Sequence, residues 1–122
     1  MTGPPREHGA LARGAFAVAV LGSLAVLFAP PSGVPSSPPG VDKLVHLGLF
    51  ALLALTGRWA GVRWRVLAVV LAGYAAGSEV LQGTDLVGRD ASVADLLADC
   101  AGVAAGLLLW QLLAGRRTRV RR

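Results

Sequence analysis

A single cysteine, Cys100, stands in this 122-residue chain, so no intrachain disulfide can form and no metal site built on several thiolates can be assembled within it. Charge is also scarce, with Asp, Glu, Lys and Arg at 16% of the residues, and the stretch from Pro30 to Gly40 carries none. What replaces charge is hydrocarbon: 54% of the residues are hydrophobic, mean hydropathy is +0.60, and soluble domains hold nearer 45–50%. A soluble globular domain is excluded, and one membrane domain is expected. The formal net charge of +5 would suggest nucleic acid in a soluble protein. Here the basic residues sit in short stretches between apolar runs, the pattern of a topology signal.

Four apolar runs are legible: Gly14 to Ala29, Val41 to Ala60, Val66 to Gln82 and Ser92 to Gly115. Each is near the ~20 residues needed to cross a bilayer. The first also has the outline of a signal peptide, but Pro30 and Pro31 fall where cleavage would occur and three further runs follow. The expectation is therefore an all-α, four-helix transmembrane bundle spanning residues 14–115, with a polar N-terminal segment over 1–13 and a basic tail over 116–122. Arg6, Arg13, Arg58, Arg63, Arg65 and the tail arginines Arg116, Arg117, Arg119, Arg121 and Arg122 fall on one side of such a path, whereas the other side holds Lys43 and Arg89. The positive-inside rule then puts both termini in the cytoplasm.

The same path brings Asp42, Lys43 and His46, Glu79 and Gln82, and the segment from Arg89 to Asp99 to one membrane level. Each charge there would cost about 2.5–3.5 kcal/mol or more at the centre of a bilayer, so the grouping needs a reason. Glu79 and Gln82 share a helix face at a spacing of three. Ser92, Asp95, Asp99, Gly102 and Gly106 form one stripe, polar above and small below, and its Gly-x-x-x-Gly predicts close contact with another helix. Asp42 suits a helix N-cap, and Ser92 with Asp95 has the form of a capping box. Glu79 and Asp99 lie deepest in their runs and are the strongest functional candidates. Arg89 is the natural counter-charge to a carboxylate or a phosphate.

Three ordered motifs carry a resemblance: Asp42-Lys43-x-x-His46, Glu79-x-x-Gln82, and Gly88-Arg89-x-x-Ser92-x-x-Asp95-x-x-x-Asp99-x-x-Gly102. Together, over Val41 to Gly106, they are similar to the VanZ-like family of bacterial integral membrane proteins. The chain differs at Asp99, where that family commonly carries asparagine. The resemblance implies a four-helix protein of the cell envelope in the cytoplasmic (inner) membrane. Its founding member is associated with resistance to the glycopeptide antibiotic teicoplanin, and a relationship to membrane enzymes of lipid head groups has been proposed for the family.

Two functional expectations follow. In the first, the cluster binds or acts on a phosphate-bearing lipid head group or lipid-linked cell-wall precursor at the outer leaflet. His46, Glu79 and Asp95 are then the catalytic candidates, with His46 as nucleophile or general base and Glu79 orienting it or relaying a proton. Asp42, Lys43, Gln82, Arg89 and Ser92 would contact the substrate, and Asp95 with Asp99 would hold a divalent cation. In the second, the cluster is a non-catalytic ion-pair network that fixes packing, and the protein modulates the envelope or a partner protein. A proton or ion pathway is a weaker third reading, because the charges gather at one end rather than across the membrane.

Overall fold

A computed structural model describes residues 9–28, 40–82 and 93–120, with the side chains of residues 42, 82 and 116–120 left aside. These residues form four helices in chain order: α1, Ala10–Leu27; α2, Val41–Trp59; α3, Trp64–Gln82; and α4, Val93–Val120. The all-helical expectation holds. Three stretches, Ala10–Leu27, Trp64–Leu81 and Val93–Gly115, are long and apolar enough to cross a membrane. The second helix falls outside that set because it carries Asp42, Lys43 and Arg58 along with His46.

Two boundaries differ from the hydropathy reading. The first helix begins at Ala10, a turn earlier than Gly14, because Ala10, Leu11, Ala12 and Arg13 are all strong helix formers. The fourth continues past Gly115 to Val120, since arginine favours helix and neither proline nor a second glycine follows. Helix α2 starts after Gly40, whose φ of 90° is the left-handed conformation glycine adopts without penalty. Gly40 is therefore its N-cap, and Asp42 is the second helical residue.

Between α2 and α3 the chain reverses within four residues, Ala60 to Arg63. Gly61 turns left-handed at φ 97°, and the Val62 amide donates to the Gly57 carbonyl at 3.0 Å, the pattern that closes a helix C-terminus. The Arg58 guanidinium donates to the Val62 carbonyl at 2.8 Å, pinning the turn from its own helix.

The principal interface joins α2 and α4. Lys43 meets Asp95, His46 meets Asp99, and Gly102 and Gly106 lie against Leu47 and Ala51. Residue numbers rise together along both helices, so α2 and α4 run parallel, with α3 as the return between them. A Cβ added at Gly102 would strike the Leu47 carbonyl oxygen, and one at Gly106 the Ala51 carbonyl. The expected Gly-x-x-x-Gly contact is thus present, backbone on backbone. By contrast Gly73 and Gly77, the same motif on α3, would meet nothing within 4 Å.

Phe50, Leu53, Ala54, Leu67, Leu71, Ala75 and Val103 form the apolar centre, with Ala19 and Leu27 of α1 against it. The outer surface is as apolar as this core, since Val18, Leu21, Val66, Val69, Leu97, Leu108 and Leu112 are all exposed. Buried alongside the core are Ser23, His46, Thr56, Ser78, Glu79, Asp95 and Asp99. A surface of leucine and valine around an interior that keeps the charges is the arrangement hydrocarbon solvent selects. Thr56 and Ser78 return their hydroxyls to carbonyls of their own helices, Leu52 at 2.7 Å and Ala75 at 2.9 Å, so their burial leaves no donor unmet.

Candidate functional site

Three helices deliver polar side chains to one end of the bundle. From α2 come Lys43 and His46, three residues apart and so on one face. From α4 come Asp95 and Asp99, four apart and also on one face. Because α2 and α4 run parallel, the two pairs align turn for turn. Glu79 enters from the last turn of α3, which runs the opposite way and therefore ends at the same level.

The result is two layers. In the outer layer Lys43 Nζ lies 3.1 Å from Asp95 Oδ1, with the lysine side chain 46% exposed and the aspartate 9%. In the inner layer, one turn deeper, His46 Nδ1 lies 2.7 Å from Asp99 Oδ1, with exposures of 2% and 0%. Asp99 is six residues past Val93, about 9 Å into the helix at 1.5 Å per residue. One ligand-capable atom from each of His46, Glu79 and Asp99 lies within 4.8 Å of the others, and all three residues are buried.

The pairing of His46 with Asp99 has a chemical consequence. A carboxylate oxygen at 2.7 Å is placed to accept a hydrogen bond from Nδ1–H, which fixes the orientation of the ring. That is the orienting role an aspartate plays toward histidine in hydrolytic triads. Sequence reasoning gives Glu79 the role of orienting His46 or relaying a proton, and Asp99 that of a cation ligand. Asp99 is in direct contact with His46, and Glu79 lies in the same buried group. Asp95, expected both as a catalytic group and as a cation ligand beside Asp99, faces Lys43, and the compact buried group is His46 with Glu79 and Asp99.

Arg89 and Ser92 lie outside the described residues, and so do the side chains of Asp42 and Gln82. A polar contact absent from the sequence reading links α1 to α3: Ser23 Oγ and Tyr74 Oη are 2.9 Å apart, and Ser23 also donates to the Val20 carbonyl at 2.7 Å. Tyr74 packs its ring against Phe50, centroids 5.6 Å apart. The available signal was the chain's one tyrosine inside an apolar run, since a buried phenol needs a partner. Comparison with protein-family models, with curated proteins and with solved structures returns no match.

Proposed function

We propose that this chain is a four-span protein of the bacterial cytoplasmic membrane, with both termini in the cytoplasm, that binds and acts on a phosphate-bearing lipid head group at the outer leaflet. The observation that carries the reading is the two-layer cluster: a half-exposed Lys43 on a nearly buried Asp95, over a buried His46–Asp99 pair with Glu79 beside it. Lys43 reaches the level of the head groups and offers a cation to phosphate. His46, oriented by Asp99, is the general base, and Arg89 and Ser92 are the sequence's further candidates for phosphate binding. The apolar outer surface continuous with this end gives the lipid tail a place to lie.

The fourth span is α2. Its 19 residues reach about 28 Å at 1.5 Å per residue, close to the ~30 Å hydrocarbon thickness. Its histidine is turned inward, 2% exposed, so the lipid-facing side of the helix is mostly apolar. The arginines gathered at the opposite end support the cytoplasmic orientation, and the three sequence motifs support kinship with VanZ-like proteins and their envelope setting.

The test uses purified protein in lipid nanodiscs, offered polyprenyl phosphates and phosphatidyl lipids, with His46→Ala and Glu79→Gln variants checked for folding. Turnover by wild type, lost in folded His46→Ala, is the expected result. Retention of the lipids without turnover would reduce the reading to binding. If the protein neither retains nor converts any of them, the head-group reading falls. The structural alternative then stands, favoured by one observation: both polar pairs bridge the same two helices, α2 and α4.

A further inference from the structure

We propose that His46, Glu79 and Asp99 form the binding site of a divalent transition-metal ion of the zinc class. The first ground is convergence. Three helices each contribute one metal-competent side chain, all three are buried, and their donor atoms already lie within 4.8 Å of one another. Helices α2, α3 and α4 could bury an apolar side chain at these positions, as they do at Leu53, Leu67 and Val103, yet here they bury an imidazole and two carboxylates.

The second ground is independent of that grouping. Asp99 is 0% exposed, and among the described residues its Oδ2 accepts no hydrogen bond. Buried carboxylate oxygens are normally satisfied, so an oxygen held dry beside a histidine and a second carboxylate points to a cation. The Gly102 and Gly106 contacts hold α4 hard against α2, so Asp99 cannot swing away to find water without parting the helices.

The donor set selects the metal. One imidazole nitrogen with two carboxylate oxygens is a recognised catalytic-zinc type of set, and three protein ligands leave the fourth position open. Magnesium prefers six oxygens in near-octahedral array, which one nitrogen and two carboxylates match less well than they match zinc. The 2.7 Å between His46 Nδ1 and Asp99 Oδ1 is a hydrogen-bond distance, and it would open to the ~3.4 Å that separates two donors bound tetrahedrally at 2.0–2.2 Å to one zinc ion as the metal replaces the shared proton. A small approach by Glu79 completes the triangle. With the ion bound, His46 is a ligand and the basic group becomes the water on the open position. The His46–Asp99 pair lies one turn deeper than Lys43 and Asp95, the pair that would meet a phosphate. This last point rests on the head-group reading; the ion site itself does not.

The experiment uses the full chain, made without a polyhistidine tag, reconstituted in nanodiscs, stripped with chelator and titrated with zinc chloride. Bound zinc is measured by elemental analysis after desalting, and cobalt is used in parallel for its visible absorption. Wild type, Asp95→Asn and His8→Ala are expected to bind one zinc per chain with equal affinity. Asp99→Asn and Glu79→Gln are expected to lose at least tenfold in affinity, together with the cobalt absorption. Unfolding midpoints in chelator identify any variant that has failed to fold, and the two substitutions serve as alternates for each other. The proposal is overturned if desalted wild type holds no zinc above the chelated blank, or if Asp95→Asn or His8→Ala loses as much as Asp99→Asn. Lipid retention by the chelated protein is scored separately: zinc bound without lipid removes only the head-group reading, and lipid retained without zinc removes only the metal site.

Discussion

The two polar layers are built alike and live differently. Each joins a base on α2 to an aspartate on α4, and they lie one turn apart. The outer pair, Lys43 with Asp95, has its lysine 46% exposed, whereas in the inner pair, His46 with Asp99, neither side chain exceeds 2%. Water screens the first and is excluded from the second. The same contact drawn on paper is therefore a weak tether in one layer and a strong constraint in the other, and the inner layer is where chemistry would be concentrated.

Gly102→Leu should break both layers at once, because its side chain would strike the Leu47 backbone and force α2 from α4. A loss of about 3 kcal/mol or more is expected in denaturant unfolding in micelles, with α-helix content largely retained by circular dichroism. Asp99→Ala should break the inner layer alone. Removing one partner of a buried pair typically destabilises by roughly 3–5 kcal/mol, and the loss should persist in high salt.

Lys43→Ala tests the other half of the comparison. With Lys43 half-exposed and Asp95 nearly buried, the pair falls between the ~0–1 kcal/mol of an exposed pair and the roughly 3–5 kcal/mol of a buried one, so unfolding should shift less than for Asp99→Ala and the shift should shrink as salt is added. Retention of anionic lipid, in contrast, should fall. Double-mutant cycles sharpen the point: the His46–Asp99 coupling should exceed the Lys43–Asp95 coupling, and equal couplings would erase the distinction. The smallest effect belongs to Gly73→Leu, which meets open space and should leave both couplings unchanged.

Much of the frame could be read from residue order. The start of α2 at Val41, the end of α3 at Gln82 and the approach of Gly102 and Gly106 to a neighbouring helix all follow from hydropathy and small-residue spacing. That His46, Glu79, Asp95 and Asp99 share one end also follows, from counting turns along an up-and-down path. Which acid meets which base does not. Spacing puts Asp95 and Asp99 on one face of α4, the ground for assigning both to one cation. The parallel register of α2 sets Asp95 beside Lys43 and Asp99 beside His46, and register depends on where the glycines seat against Leu47 and Ala51. The Ser23–Tyr74 contact was illegible for a related reason, since it joins residues 51 positions apart on helices whose relative rotation no periodicity specifies.

Helix α4 is longer than hydrocarbon alone requires. Its 28 residues extend about 42 Å, against some 30 Å of hydrocarbon, so a helix that crosses the membrane as proposed would carry its arginine end through the head-group layer as a short stiff post. A spin label at position 118 should then tumble with the bundle as one at position 113 does, rather than with the freedom of a loose tail.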